Sequence, residues 1–203
     1  MVTMGNLQQA KQYVRNRLER ELPPGLFYHR PAHTIEDVVP AAQRLAFGEG
    51  VDGESLHLLQ TAAWFHDIGF IEARAGHEAI SARIASEVLP GFGYSPEQIE
   101  VVLGIIGATV LPQSPVTILQ QIMADADLDV LGREDYTVLN GELRRELAFF
   151  GQESTDTEWY VGQMEFLGGH SYFTASAHSL RDAGKLANMA HVQRILDGLN
   201  GKP

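Results

Sequence analysis

Along almost the whole of this 203-residue chain, apolar residues recur at the three- and four-residue spacing of a helix. The two-residue alternation that marks a half-buried strand is nearly absent. A fold made of helices is therefore the starting constraint. The pattern predicts an opening helix over 3–22, ended by Pro23-Pro24-Gly25 because a proline cannot continue a helix and its predecessor avoids helical dihedrals. Further helices are expected over 34–48, 53–68, 77–89, 96–110, 116–131, 134–150 and 178–199, punctuated by Gly, Pro or Ser. The run Thr34-Ile35-Glu36-Asp37 reads as a capping box with Asp in place of the usual Glu, and would put His33 just ahead of its helix. No repeat or low-complexity tract interrupts the series, so the expectation is an all-α single domain of about eight helices.

Composition narrows the chemistry. The chain has no cysteine, which removes disulfides, thiolate metal sites and a thiol nucleophile, and leaves His, Asp and Glu as available ligands. The formal charge of -11 disfavours nonspecific binding of a nucleic acid duplex or an anionic membrane. No apolar run approaches the roughly 20 residues of a membrane span, and the first 20 residues are too polar for a secretory signal. A soluble, cytoplasmic protein is expected, with no reading of its oligomeric state.

Against this background one doublet stands out, His66-Asp67, set in the apolar run AAWFHDIGF. Burying such a carboxylate without a partner would cost several kcal/mol. The helical phase shows which polar groups share the interior with it. Leu56, Leu59 and Ala63 lead at helical spacing to His66; Ile80, Ile84 and Val88 lead back to His77; Val102 and Ile106 lead on to Thr109. In MADADLDVLG, Asp127 lies roughly 70° from the centre of the buried face, Asp129 about 90° and Asp125 about 130° at 100° per residue, so Asp127 is the inward acid. Asp125 is expected to be a supporting or solvent-edge group, and Asp129 a solvated one. His33, His66, Asp67 and Asp127 thus offer two imidazoles and two carboxylates to one divalent ion.

These residues and their surroundings resemble the HD-domain superfamily of metal-dependent phosphohydrolases, whose pattern is H…HD…D on a helical fold. The resemblance rests on FYHRPAHTIEDV, AAWFHDIGF, GHEAISARIASEVLP and MADADLDVLG, spanning about 27–132, and continues through ELRRELAFF, SYFTASA and KLANMAHV, as in the small stand-alone bacterial members. It implies a single-domain HD-type helical bundle with its motif core at 27–132 and helices in 133–203 completing it. The implied metal ligands are His33, His66, Asp67 and Asp127. The ion would be Mn²⁺, Fe²⁺, Co²⁺, Ni²⁺, Zn²⁺ or Mg²⁺, and it would act on a small phosphorylated substrate, a nucleotide first among the family's substrate classes.

Catalytic roles are expected for Asp67 and for Glu78, with His77, Thr109 and Asp125 as substrate contacts or support. Arg30, Arg74, Arg145 and Lys185 are the cations considered for the phosphate, although Arg30 stands where many family members carry asparagine. His29, His57, His170, His178 and His191 read as structural or surface residues, and Tyr172 and Phe173 as candidates for stacking on a base. Two other functions fit the same ligands. One is a metal- and nucleotide-binding sensor. The other is a di-iron oxygenase, which needs two further histidines between the doublet and the last Asp; the chain offers His77 alone, with Thr109 where the other would fall.

Overall fold

A computed structural model describes residues 4–201; residue 3, at the expected start of the first helix, lies outside the described residues. Those residues form helices joined by turns and loops, with no strand among them, so the all-α expectation holds. Helix α1 (Leu7–Glu21) is capped by Asn6 and buries Ala10, Val14 and Leu18 at four-residue spacing. After a loop, a π-helical turn over His33–Val38 runs into α2 (Val39–Gly48). Then come α3 (Gly53–Phe65), a 3₁₀ turn over Ile68–Ile71, α4 (His77–Val88), α5 (Pro96–Gly107) and α6 (Ile118–Asp127). A further 3₁₀ turn over Asp129–Gly132 leads to α7 (Tyr136–Phe149), α8 (Asp156–Gly169) and α9 (Ala175–Asn200).

Helix α3 is the centre of the larger core. Its Leu58, Leu59, Thr61, Ala62, Ala63, Trp64 and Phe65 are all buried, as expected for a helix surrounded by others. Around it pack Leu45, Ile68, Ile105, Ile106, Ile122 and Met123, each at most 1% exposed and each worth about 1.5–3 kcal/mol of burial. A smaller cluster, Leu131, Tyr136, Leu167, Val192 and Leu196, holds the last three helices together. Two close approaches fix the elements that carry the site. A side chain on Gly69 would strike the carbonyl of His77 at 2.0 Å, and one on Gly184 would strike the carbonyl of Gly132 at the same distance.

Several local expectations are corrected. Thr34 caps nothing: it is buried inside the π turn, the residue ahead of that turn makes no side-chain cap, and Asp37 accepts from Arg133 Nη1 at 2.5 Å instead. Helix α8 falls where the periodicity predicts no helix. Its apolar residues follow no single stripe, and of them only Trp159 and Leu167 are buried. What starts it is a capping box, with Thr155 Oγ1 accepting from Glu158 N at 3.2 Å and Thr155 N donating to Glu158 Oε2 at 2.8 Å. Asp129 is not solvated: it is buried and accepts from Arg44 Nη2 at 3.0 Å and Arg181 Nε at 2.7 Å. Among the described residues, no helix is long and apolar enough to cross a membrane.

Candidate metal centre

The doublet sits where α3 gives out. His66 still has helical dihedrals and Asp67 breaks from them (φ -108, ψ 3), so adjacent residues turn both side chains toward one point. His66 Nδ1 donates to the carbonyl of Ala63 at 2.9 Å, which fixes the tautomer and leaves Nε2 bare. His77 repeats the device with Arg74 O at 3.0 Å. The π turn brings in His33 and the last residue of α6 brings in Asp127. His33, His66 and Asp127 each present one atom, all within 4.8 Å of one another.

Asp67 lies against this group and joins it to His77. Its Oδ2 is 3.5 Å from His33 Nε2 and 3.3 Å from His66 Nε2, while its Oδ1 is 3.3 Å from His77 Nε2. His66 Nε2 and Asp67 Oδ2 are buried yet make no hydrogen bond. Two facing, orphaned donor atoms in a fully buried pocket of nitrogen and oxygen are the signature of a cation site, because leaving them unpaired costs on the order of 1–3 kcal/mol apiece. The residues therefore fit a divalent ion.

The electrostatics agree. Burial alone would strip His66 of its proton, but Asp67 and Asp127 outweigh it and hold the ring's pKa well above the usual imidazole value. Burial likewise opposes charging of His77, and Asp67 overcomes it. In return Asp127, despite burial, is drawn down to about 2 by His33 and His66, and Asp67 is held well below the carboxylate range by His66 and then His77.

The centre opens on a cavity of about 610 Å³, within the range that accepts a small organic ligand. Glu78 and Thr109 stand on its wall. Glu78 Oε2 is 3.5 Å from His77 Nδ1, and the Thr109 hydroxyl donates to Ile106 O at 2.8 Å. The di-iron alternative thus finds one histidine, His77, and a threonine whose proton is already engaged.

Other expected contacts sit elsewhere. Asp125 is fully buried, accepts from the Phe173 and Thr174 amides at 2.9 and 2.8 Å, and anchors the start of α9. Arg30 is half exposed, 3.6 Å from Glu142. Arg145 lies 3.8 Å over the Phe27 ring and Arg74 4.1 Å over that of Phe150. Lys185 donates to the carbonyl of His170. None of these five lines the cavity, and neither do Tyr172 and Phe173. Each cation has been drawn to a carbonyl, a carboxylate or an aromatic face nearer its own helix.

Other residues on the wall escaped the sequence reading. His29, set aside as structural, faces the cavity, and its Nδ1 lies 2.6 Å from Glu146 Oε1. Glu146 is fully buried and also accepts from the Tyr28 and His29 amides at 2.9 and 3.0 Å. Burial pushes this carboxyl up, and His29 more than reverses it. Phe70 stacks between His29 and His77, at 4.3 and 4.0 Å from their ring centres. The available signal was the nearness of His29 in sequence to His33. Tyr136 and Asn140 of α7, with Trp159 and Gln163 of α8, form the far wall. No spacing rule brings these two helices together.

No protein-family model and no curated protein matches the chain. Solved structures do, two of them as follows. One is described as a predicted HD superfamily hydrolase from an uncultured Thermotogales bacterium, 21% identical, with a TM-score of 0.63 over 96% of this chain and 94% of that one. The other is a Lactobacillus plantarum protein, 17% identical, with a TM-score of 0.72 over the full length of both chains. The likeness is one of fold: these helices are arranged as in a structure described as a predicted HD superfamily hydrolase.

Proposed function

We propose that the protein is a metal-dependent phosphohydrolase acting on a small phosphorylated compound, with a nucleotide as the favoured class. The observation that carries this is the facing pair of buried, unpartnered atoms, His66 Nε2 and Asp67 Oδ2, where Asp67 lies against the group formed by His33, His66 and Asp127. These four side chains would hold the ion. A bound divalent ion supplies Lewis acidity toward a phosphoryl oxygen and lowers the pKa of water from 15.7 toward about 7.

The chain's own residues do the rest. Asp67 stays ionised because His66 and His77 depress its pKa against the pull of burial, so its Oδ1 is an acceptor for the proton of the attacking water. Asp67 favours the charged form of the His77 ring against the pull of burial, so its Nδ1–H stays on Arg74 O while its Nε2–H points toward that oxygen and keeps it aimed. As the water oxygen bonds to phosphorus, the ester oxygen leaves, and His29 is the group placed to protonate it. Its Nδ1 is tied to Glu146, which leaves Nε2 for the cavity. Phe70 packs against both rings, and the apolar wall around Leu128, Val130 and Leu131 keeps bulk water away.

Phosphate release from a panel of phosphate esters, with Mn²⁺, Co²⁺ or Mg²⁺ added, tests the reading beside an Asp67→Ala control and elemental analysis of the purified protein. Metal-dependent release that the substitution abolishes is the expected result. Tight nucleotide binding without release would replace the enzyme with a sensor, and oxygen consumption with two irons bound would replace it with an oxygenase.

A further inference from the structure

The end of the cavity away from the ion is built from one helix of the smaller core and one helix that the periodicity does not predict, and its polar atoms form a directed chain. Trp159 Nε1 donates to Asn140 Oδ1 at 2.8 Å. An indole nitrogen can only donate, so Asn140 must present its oxygen there and its NH₂ on the other side. That NH₂ donates to Gln163 Oε1 at 2.5 Å, and the Tyr136 hydroxyl donates to the same oxygen at 3.0 Å. With Oε1 claimed by two donors, the amide of Gln163 has one orientation open to it. Its NH₂ is left without a partner among the described residues, at the cavity wall. Tyr136, Asn140 and Trp159 are each at most 9% exposed, so the chain is rigid up to the half-buried Gln163.

Charge gives a second, independent constraint. The acids of the cavity are Asp67, Glu78, Asp127 and Glu158, and no lysine or arginine is among the residues that line it. The one place in the cavity where a phosphoryl oxygen would meet a cation is the metal end. A second or third phosphate would extend into a space with no fixed cation and two further carboxylates, where like charges repel.

We infer that the cavity takes a monophosphate ester whose leaving group is flat, uncharged and bears a carbonyl or ring-nitrogen acceptor, and that Gln163 Nε2 is the donor that selects it. This rests on the phosphohydrolase reading for the phosphate half alone. The apolar walls grip the plane of the group, and the indole of Trp159 lies beside it. A nucleoside 5′-monophosphate has this chemistry, and a nucleoside triphosphate does not.

The test compares kcat/KM for the common nucleoside 5′-monophosphates, the matching triphosphates and phenyl phosphate, which has no acceptor beyond its ester. At least one monophosphate is expected to exceed its triphosphate by about tenfold or more. Gln163→Glu keeps the acceptor that Asn140 and Tyr136 need and removes both N–H donors. It should lower the monophosphate-to-phenyl-phosphate ratio of kcat/KM about tenfold, mainly through KM, the loss of one neutral hydrogen bond. Trp159→Phe, which only frees the chain to turn, should lower that ratio by about threefold.

An unchanged ratio in Gln163→Glu, or a triphosphate turned over as well as the monophosphate, overturns the inference while leaving the hydrolase intact. Should nothing be hydrolysed, the hydrolase reading falls and calorimetry with the free nucleosides decides the inference. Binding that weakens about tenfold in Gln163→Glu upholds the role of Gln163, and binding that is absent or indifferent to the substitution ends it.

Discussion

The two ends of the cavity solve the same problem, holding polar atoms still inside an apolar body, by different means. At the metal end two histidines are locked by their own neighbourhood: His66 by Ala63 O and His77 by Arg74 O, both three residues back. The charges there are mutually dependent, since imidazoles and carboxylates shift one another's pKa values in opposite directions. At the far end the four orienting groups are uncharged and none is locked by its own turn; Trp159, Asn140, Gln163 and Tyr136 orient one another across α7 and α8. Local locking suits a site that must survive loss of its ion. Mutual orientation suits a site that has to present one donor in one direction, and it fails as a unit.

The sharpest way to break the comparison is at the metal end. His66→Ala should abolish metal retention in elemental analysis and cut kcat/KM by at least about three orders of magnitude, the several kcal/mol that an ion contributes. Most of the helical circular dichroism should persist. Full metal occupancy in this variant would show that the ring is not a ligand.

Glu146→Gln probes the border between the two ends. It leaves every ligand in place but removes the charge that holds His29. A fall of about 10–100-fold in kcat is expected, with metal content unchanged. Loss of metal instead would make Glu146 part of the ion's support and would remove the reason to treat His29 as a proton donor.

The smallest effect separates the ends by pH. In the metal-free protein the folded-state pKa of His66 is raised, so its stabilising charge is fully present below the ordinary imidazole pKa and is lost as pH rises through the raised value. Asp67 and Asp127 behave oppositely: their depressed pKa values contribute stability above the ordinary carboxylate range, lost as pH falls, for Asp127 through about 2. Because an ion must displace the His66 proton, metal affinity should strengthen with rising pH, by about tenfold per unit below the raised pKa. Titrations at several pH values with proton release followed in parallel would measure it. Nucleoside binding at the far end, through the neutral amide of Gln163, should stay flat over the same range, and a matching slope there would mean that the two ends are electrostatically one.

How much of this was legible in the chain follows the same division. Helices whose apolar residues form one stripe were readable, and so was the inward phase of His66, His77, Thr109 and Asp127, because the interior that fixes the stripe also fixes them. Asp125 and Asp129 were misplaced because a rotation angle measures the direction of a side chain and not what waits there; Phe173, Thr174 and Arg181 come from more than forty residues away. Helix α8 was missed because its cap, rather than its stripe, defines it. The cations were misjudged for a related reason: Lys185 and Arg145 found carbonyl and aromatic partners that only the packing reveals.

The π turn at His33 carries a consequence of its own. The amide of Val39 reaches back five residues to Thr34 O, so the segment holds one residue more than an ordinary coil would take. That surplus acts as an angular offset between His33, which must face the ion, and Ala41, Ala42 and Leu45, which must face the oil. Excising a single exposed residue such as Glu36 would let the coil tighten and swing everything ahead of it by about 100°, carrying the imidazole away from Asp127 while α2 stayed seated. A one-residue surplus thus lets a single rod serve two masters that an unbroken helix could not align.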